Sequence, residues 1–236
     1  MDGHAFTLAG ASLIALPSGA LYWEARNLIC VSDLHLGKAL RRARAGEPPL
    51  PPYETRDTLT RLESDLRRTG ATTVICLGDS FDDTRAALAL PEAEKLWVTR
   101  LQAGRRWVWI EGNHDPGPVD LGGTHLAELP TPPLTFRHIA DPGRSGEVSG
   151  HYHPKMRLAL RGQPISRPTF LIDGDRVILP AYGTYTGGLS CDDPALTELM
   201  RAEALAVLTG PTVHVLPMRQ GKKRDGAGAR SRSPDT

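Results

Sequence analysis

Five short blocks of acidic, amide and imidazole side chains are the part of this 236-residue sequence best suited to chemistry. Each block offers oxygen or nitrogen atoms and none contains a cysteine: Asp33-x-His35, Gly78-Asp79-x-x-Asp82, Gly112-Asn113-His114-Asp115, His138, and Gly150-His151-x-His153-Pro154. One such block is common by chance, whereas five in this order are not. Oxygen and nitrogen donors without thiolate suit Mn²⁺, Fe or Zn²⁺. The blocks therefore predict a metal site assembled from distant parts of the chain.

Two neighbouring metal ions would give these blocks a definite reaction. A pair of divalent cations about 3.5–4 Å apart neutralises a phosphate ester and supplies hydroxide at neutral pH. Asp79 suits the bridge between two ions, because its carboxylate has two oxygens and Gly78 lets the loop approach closely. Two ions held at these blocks would therefore suit the hydrolysis of a phosphate ester. A serine nucleophile is not indicated, since residues 146–150 lack nucleophile-elbow spacing, and the sequence contains no P-loop.

Buried strands are expected immediately before the first three blocks. The apolar runs 28–31, 74–77 and 107–110 each end where a block begins. Between them, segments 54–68 and 91–102 show a helical spacing of leucines or a proline suited to a first helical turn. This alternation with short connections implies parallel pairing and right-handed crossovers. The three strand ends therefore emerge at one edge of a sheet and bring the blocks together.

The rest of the chain has the pattern of short strands joined by turns. Pro17-Ser18-Gly19 separates two apolar segments and predicts a first hairpin. Beyond about Pro130, short alternating runs separated by Gly, Pro and Asp predict antiparallel sheet, with a hairpin turn at Asp173-Gly174-Asp175.

Composition and charge indicate one catalytic domain over residues 1–217. Hydrophobic residues make up 40% of the chain and charged residues 23%, values that are ordinary for a globular protein. No apolar run reaches the about 18–20 residues that cross a bilayer. The segment 218–236 carries a net charge of +4 and little apolar content, so it is predicted to be a disordered basic tail on a body of about −3.

The cysteines and the N-terminus favour a cytoplasmic location. Cys30, Cys76 and Cys191 have no metal-binding spacing and cannot all pair, so a reducing compartment is expected. The apolar stretch 8–16 has no Lys or Arg before it, which argues against a secretory signal.

In this order, the five blocks resemble the calcineurin-like metallophosphoesterase superfamily, whose pattern is DxH, GDxxD, GNH(D/E), a single His and GHxH. The resemblance spans about Asp33 to His153 and implies an α/β (α+β layered) fold, a four-layer αββα sandwich of two mixed sheets. It also implies two divalent metal ions, for which Mn²⁺ is favoured. The implied ligands are Asp33, His35 and His153 for the first ion, Asn113, His138 and His151 for the second, and Asp79 for both.

The resemblance further implies catalytic roles for two residues. His114 is similar to the family's catalytic histidine, which protonates the leaving alkoxide or stabilises charge on the phosphoryl group. Asp82 is predicted to orient it. The alternatives are that His114 is a further ligand and that Asp82 only caps a loop. Ile139 follows His138, where the superfamily often has glycine, and His125 is the competing candidate for the single histidine.

Flanking motifs narrow the resemblance to the bacterial ligase-associated phosphoesterases. The matching stretches are His35-Leu36-Gly37-Lys38, Pro51-Pro52-Tyr53-Glu54-Thr55-Arg56, Gly78-Asp79-Ser80-Phe81, Trp109-Ile110, Phe136-Arg137-His138 and residues 180–189. These proteins are regarded as DNA endonucleases and are named for genomic association with an ATP-dependent ligase and a helicase in DNA repair. The resemblance thus implies DNA as the substrate, with a ligase and a helicase as partners and no membrane.

Basic and aromatic residues suggest where a nucleic acid would bind. The candidate substrate-binding residues, which follow the first block, are Lys38, Arg41, Arg42 and Arg44. Such side chains hold phosphates by Coulomb attraction, and the alternative is a solvated helix face. Tyr182 and Tyr185 lie near glycines and are candidates either for base stacking or for buried turn positions.

Two other functions compete with DNA cleavage by a two-metal phosphodiesterase. A small-molecule phosphodiesterase or phosphatase, acting for example on a cyclic nucleotide, would use the same metals. A non-catalytic scaffold would use the same fold. Silent members typically lose catalytic histidines or ligands, whereas all of these residues are present here.

Overall fold

A computed structural model describes residues 2–117, 120–160 and 162–218, apart from the side chains of Thr84 and Leu160. The predicted tail therefore lies outside the described residues, except for Met218. That side chain is buried, and its backbone N–H donates to the carbonyl of Ala204 at 2.8 Å. Met218 thus belongs to the folded body rather than to the tail.

Two β-sheets stacked face to face form the centre of the molecule. Within the described ranges, the first sheet has seven strands in chain order: β1 (His4–Leu8), β2 (Ala11–Ala15), β3 (Leu21–Trp23), β4 (Leu28–Ser32), β5 (Thr73–Leu77), β6 (Arg106–Ile110) and β7 (Thr124–Leu126). The described strands of the second sheet are β8 (Glu128–Thr131), β9 (Leu134–Arg137), β10 (Glu147–Ser149), β11 (Lys155–Leu160), β12 (Gln163–Ile172), β13 (Arg176–Ile178), β14 (Leu205–Leu208) and β15 (His214–Pro217). Their order is β15-β14-β12-β13-β10-β9-β8, and β11 pairs with β12.

The helices are short and few beside the strands. Those that the structure describes are α1 (Lys38–Arg44), α2 (Glu54–Thr69), α3 (Thr84–Ala89), α4 (Glu92–Gln102) and α5 (Pro194–Thr197), with a 3₁₀ turn at Glu24–Arg26. In α2, Leu59, Leu62 and Leu66 recur at helical spacing and are all buried. None of the helices in the described ranges combines the length and apolar character that a membrane crossing needs.

The central strands of the first sheet pair in parallel, as the apolar runs predicted. Strand β4 pairs in parallel with β5, β5 with β6, and β6 with β7. The predicted first hairpin is also present, since β2 and β3 pair antiparallel. Because side chains alternate along a strand, β4 buries Ile29 and Val31 beneath α2 and α4, and Cys30 against the second sheet. Both faces of the first sheet are therefore covered.

The second sheet is mixed, which corrects the prediction of antiparallel pairing after Pro130. Strand β10 pairs in parallel with β9 and with β13, whereas β12 pairs antiparallel with β13 and β14. Alternating residues show that a strand has one buried face, but the path of its connections decides the direction of its partner. The outer face of this sheet is covered by α5 and neighbouring residues such as Cys191 and Met200 rather than by long helices.

Candidate metal centre

The five sequence blocks follow strands of both sheets at one edge of the sandwich. Asp33 follows β4, Asp79 follows β5 and Asn113 follows β6, so parallel pairing places them side by side. His138 directly follows β9, and His151 follows β10 in the opposite sheet. Strand β5 lies between β4 and β6, which puts Asp79 between the other two.

An unusual backbone conformation recurs among these residues. Positive φ angles, which residues other than glycine adopt rarely, occur at Asp33, His35, Asp79, His151 and His153. Each such residue costs on the order of 1–3 kcal/mol and persists only where the surrounding structure enforces it. The chain therefore stores strain at this edge, as proteins often do at functional sites.

The first group consists of Asp33, His35 and His153, whose candidate ligand atoms all lie within 4.8 Å of one another. Asp33 Oδ1 and His153 Nε2 are 3.0 Å apart. These two atoms and His35 Nε2 are among the buried side-chain atoms of the described residues that lack a hydrogen-bond partner. Buried polar atoms are normally satisfied, so three that converge on one another fit a cation.

The second group consists of Asp79, His138 and His151, with Asn113 beside them. His138 Nε2 lies 3.0 Å from Asn113 Oδ1, 3.2 Å from His151 Nδ1 and 3.5 Å from Asp79 Oδ2. The opposite nitrogen, Nδ1, donates to the Leu77 carbonyl at 3.0 Å. In the neutral ring Nε2 is therefore the lone-pair nitrogen, the form in which histidine binds metals.

The two groups adjoin each other. His138 Nδ1, in the second group, is 3.9 Å from Asp33 Oδ1 in the first. Burial opposes ionisation of both aspartates, but the neighbouring imidazoles outweigh it. His138 and His114 lower the pKa of Asp79 to about 2, and His153 and His138 lower the pKa of Asp33 below its ordinary value. Both carboxylates are thus anionic at neutral pH and suited to divalent cations.

Two glycines permit the close packing of the ligand loops. A Cβ at Gly78, whose φ is +63°, would lie 2.3 Å from His138 Nδ1. A Cβ at Gly112 would lie 2.1 Å from the backbone nitrogen of Asp79. These glycines are needed because one ligand loop rests directly on another.

Asp82 contacts a different histidine from the one that the sequence predicted. Its Oδ1 lies 3.1 Å from His35 Nδ1, and its other carboxylate oxygen accepts from Arg41. The contact with His114 is made by the backbone: His114 Nδ1 donates to the Asp82 carbonyl at 3.0 Å. The Asp82 carboxylate therefore orients His35, and its main chain orients His114.

His114 is exposed and lies beside both groups. Its backbone N–H donates to Asp79 Oδ1 at 2.9 Å, and its ring stands edge-on to His35 with the centroids 5.4 Å apart. Because a carbonyl oxygen only accepts hydrogen bonds, His114 Nδ1 is protonated and donates to the Asp82 carbonyl. Nε2 is therefore the nitrogen that can exchange a proton with a substrate.

Asp115 has a structural role that its position in the third block did not reveal. It is 6% exposed, and its Oδ2 accepts the backbone N–H groups of Ser80 and Phe81 at 2.8 and 3.1 Å. Burial raises the pKa of Asp115 to about 6. The carboxylate holds the loop after Asp79 against the third block. In the sequence, only the position of Asp115 directly after Asn113 and His114 pointed to a role near the candidate metal centre.

The candidate substrate-binding arginines are engaged in internal ion pairs. Arg41 contacts Asp82 and, at 3.0 Å, Glu47. The remaining pairs are Arg42 Nε to Glu47 Oε2 at 3.4 Å and Arg44 Nη2 to both Asp83 carboxylate oxygens at 2.9 Å. Lys38 Nζ lies 3.9 Å from Asp82. Burial, followed by the charge of Lys38, lowers the pKa of Lys155 below its ordinary value.

The remaining histidines and Tyr182 lie outside the two groups. His125 is on β7, stacked on Trp109 with the ring centroids 6.3 Å apart. His4 stacks on Phe6, while His214 begins β15. Tyr182 is fully buried and donates its hydroxyl to Asp65 at 2.9 Å, so it is a structural residue and not a stacking platform.

Two stacked mixed sheets with paired carboxylate and imidazole groups at one edge define a metallophosphoesterase. The chain matches the calcineurin-like phosphoesterase family over residues 26–198 and belongs to that family. It is therefore a metal-dependent phosphoric ester hydrolase, and the family uses a centre of two divalent metal ions.

A solved structure gives a more particular relative. The chain is similar to the crystal structure of the Pseudomonas putida nuclease MPE, with 30% sequence identity and a TM-score of 0.70. The similarity covers 91% of this chain and 100% of that one. A search of curated proteins gives no match.

Proposed function

We propose that the protein is a two-metal-dependent nuclease that cleaves phosphodiester bonds of DNA. The observation that carries this proposal is the pair of adjoining ligand groups, one at Asp33 and one at His138, each with one partly exposed histidine at the sheet edge. The nuclease among its structural relatives supports a polynucleotide substrate.

The ligand set is proposed from the two groups. The first ion would be held by Asp33, His35 and His153, the second by Asn113, His138 and His151, and Asp79 would contribute to both. The position of β5 between β4 and β6 supports the bridge. When bound, two such ions neutralise a phosphate and supply hydroxide at neutral pH. Mn²⁺ is the ion that we propose for activity.

The chain's own contribution to bond cleavage is proton transfer and orientation. In its doubly protonated form the His114 ring gives the Nε2 proton to the leaving alkoxide, while the Nδ1 proton stays on the Asp82 carbonyl. Asp82 keeps the His35 ring in place through its carboxylate, as the partner of a metal-binding histidine commonly does. His114 stays aligned because its N–H bonds to Asp79.

The biological setting is proposed from the resemblance to ligase-associated phosphoesterases. DNA repair is the proposed process, with a DNA ligase and a helicase as partners. We also propose that flanking phosphates are contacted by Lys38, Arg42 and Arg44, in addition to the internal ion pairs of these residues. Arg41 lies on the same helix, α1, and is proposed to contribute to these phosphate contacts. A cytoplasmic location agrees with the buried free thiols of Cys30, Cys76 and Cys191.

An activity panel tests the proposal. The metal-stripped protein is reloaded with Mn²⁺ and assayed on single-stranded, duplex and nicked DNA, on a cyclic nucleotide and on methyl p-nitrophenyl phosphate. We expect the protein to cleave DNA, and we expect chelation to abolish this cleavage and Mn²⁺ to restore it. If the protein hydrolysed the cyclic nucleotide but left all DNA substrates uncut, the nuclease proposal would be overturned in favour of a small-molecule phosphodiesterase. If it bound metal but hydrolysed none of the esters, the result would point to a scaffold.

A further inference from the structure

Two exposed tyrosines meet at the rim of the candidate metal centre although they are 132 positions apart in sequence. Tyr53 is 53% exposed and Tyr185 is 44% exposed. Their hydroxyl oxygens are 2.9 Å apart, and the ring centroids are 6.2 Å apart with the planes tilted by 57°. Two rings are thus held together while much of their apolar surface remains open to solvent.

The segment that carries Tyr185 is fastened at both ends to candidate ligands. At one end, the Gly183 N–H donates to the Asp33 carbonyl at 3.0 Å. At the other end, Gly188 packs on His153 so closely that a Cβ there would lie 2.0 Å from the His153 carbonyl oxygen. Tyr185 therefore lies on a short span beside the first ligand group.

Tyr53 is tied to the same side of the centre. It directly precedes α2, whose first two residues hold the start of α1. Glu54 Oε1 accepts the Ala39 N–H at 3.1 Å, and Thr55 Oγ1 accepts the Gly37 N–H at 3.0 Å. Since Gly37 comes two residues after His35, this contact anchors Tyr53 next to another ligand of the first group.

The position of the Tyr185 ring is enforced rather than incidental. Its φ is +62°, in the left-handed region that a bulky residue adopts only under constraint. Beside it, Lys155 Nζ donates to the Thr186 carbonyl at 2.7 Å. The aromatic surface and the Lys155 ammonium group therefore lie at the same edge of the metal centre.

We propose that Tyr53 and Tyr185 form a nucleobase-stacking subsite beside the scissile phosphate, with Lys155 attracting the neighbouring phosphate of the strand. This inference rests on the proposed nuclease function. Bases of any sequence stack on aromatic faces, and lysine tracks the backbone, so the subsite selects a single-stranded polynucleotide without reading its sequence. A small phosphodiester that has no base would not use it.

Abasic interference tests the subsite. Single-stranded oligonucleotides carrying one abasic tetrahydrofuran residue are cleaved with Mn²⁺, and the cut at every bond is quantified against the intact oligonucleotide. Because stacking contributes on the order of 1–3 kcal/mol per base, one bond at a constant offset from the abasic position should be cut about 5- to 150-fold more slowly by the wild type. In Tyr53→Ala and Tyr185→Ala that interference should shrink to within twofold.

Three controls separate stacking from other roles. Tyr53→Phe and Tyr185→Phe keep the rings and should keep the interference. Leu96→Ala removes an exposed apolar side chain from α4, 60% exposed, and should also keep it. Turnover of methyl p-nitrophenyl phosphate should match the wild type in every variant, which shows that the fold and the metal centre are intact.

The outcomes distinguish the two proposals. If the wild type cleaves DNA but shows no interference, or if the alanine variants retain it, the stacking subsite is wrong and the nuclease proposal stands. If the phenylalanine variants lose the interference as the alanine variants do, the hydroxyl pair and not the rings binds the substrate, which also overturns stacking. If the wild type cleaves no DNA while hydrolysing the small diester, the nuclease proposal and the subsite fall together.

Discussion

At the scale of single residues, the metal centre depends on which atoms remain free after each side chain has made its local contacts. Asp79 Oδ1 accepts from the His114 N–H, while Oδ2 faces His138 Nε2 at 3.5 Å. Both oxygens are thus already directed, one toward the His114 backbone and one toward His138 in the second ligand group. His138 is directed in the same way, because its Nδ1 donates a hydrogen bond to the Leu77 carbonyl.

Asp79→Asn is expected to lose both metal ions and nearly all hydrolysis, because an amide has one oxygen and no charge with which to bridge two cations. Elemental analysis of the Mn²⁺-loaded protein measures the occupancy directly. Asp120→Asn, an exposed substitution outside every block, is the matched control and should keep both ions. Loss of one ion only would assign Asp79 to the second group alone.

His114→Ala is expected to keep both metal ions but to lower turnover by about 10²- to 10⁴-fold, because it removes the proton donor and leaves the proposed ligands in place. The loss should be smaller for diesters with good leaving groups, which need little protonation. Rates across a series of substituted phenyl phosphodiesters check this. An equal loss for every leaving group, or loss of a metal ion, would contradict the proton-donor role.

At the scale of elements, the site depends on loops that touch one another after parallel strands. Gly78 and Gly104 both have positive φ, at +63° and +72°, so alanine at either position costs on the order of 1–2 kcal/mol in backbone strain. Only at Gly78 would the added Cβ meet His138, whereas nothing lies within 4 Å at Gly104. The two positions thus separate strain from crowding at the centre.

Gly78→Ala should therefore displace His138 and lower the affinity for the second ion, while Gly104→Ala should lower thermal stability without changing metal affinity. Calorimetric titration of the stripped proteins with Mn²⁺ gives the two affinities, and thermal unfolding gives the stabilities. Equal metal affinity in both variants would show that the loop carrying His138 moves to accommodate the extra methyl group without losing the metal site.

Helix α1 carries arginines with two different kinds of partner. Arg41 contacts Asp82, which orients His35, whereas Arg42 pairs with Glu47 and Arg44 pairs with Asp83. Arg41→Ala should therefore slow both DNA and small-diester hydrolysis. The double variant Arg42→Ala with Arg44→Ala should slow only DNA cleavage and reduce the log-log salt slope of single-strand binding by about 0.7 per lost contact.

DNA affinity at several salt concentrations, paired with turnover of methyl p-nitrophenyl phosphate, tests this division. If Arg41→Ala left the small-diester rate unchanged, its contact with Asp82 would be irrelevant to the centre. An unchanged salt slope in the double variant would remove Arg42 and Arg44 from the DNA contacts.

At the scale of the whole molecule, charge is unevenly distributed along the chain. Residues 219–236 carry a net charge of +4, so the remaining residues carry about −3. Met218, the last residue that the structure describes, is buried, and its backbone N–H donates to the Ala204 carbonyl.

Deleting residues 219–236 should leave thermal stability, metal content and small-diester turnover unchanged. It should weaken DNA binding at low salt, because a cationic segment adds long-range attraction that salt screens. Binding isotherms at low and physiological salt, with thermal unfolding alongside, provide the check. A lowered melting temperature would show that the segment packs on the body and is not only an electrostatic arm.

The sequence by itself determined the strands that precede the first three blocks, their parallel pairing, and the residue types that the centre requires. These features are local, because apolar runs and polar strand ends reflect burial along a few consecutive residues. The family resemblance also divided the proposed ligands into two sets, which stays a prediction; in the structure Asp33 lies with His153, and His138 lies with His151.

Only the tertiary structure decided which partner each side chain takes. The Asp82 carboxylate contacts His35 rather than His114, and Arg41 pairs with Asp82. Tyr182 is buried, and its hydroxyl donates to Asp65. The pairing of Tyr53 with Tyr185, and the parallel neighbours of β10, likewise join positions far apart in the chain. Spacing along a sequence carries no information about such contacts, because they depend on how separate strands and loops are brought together in space.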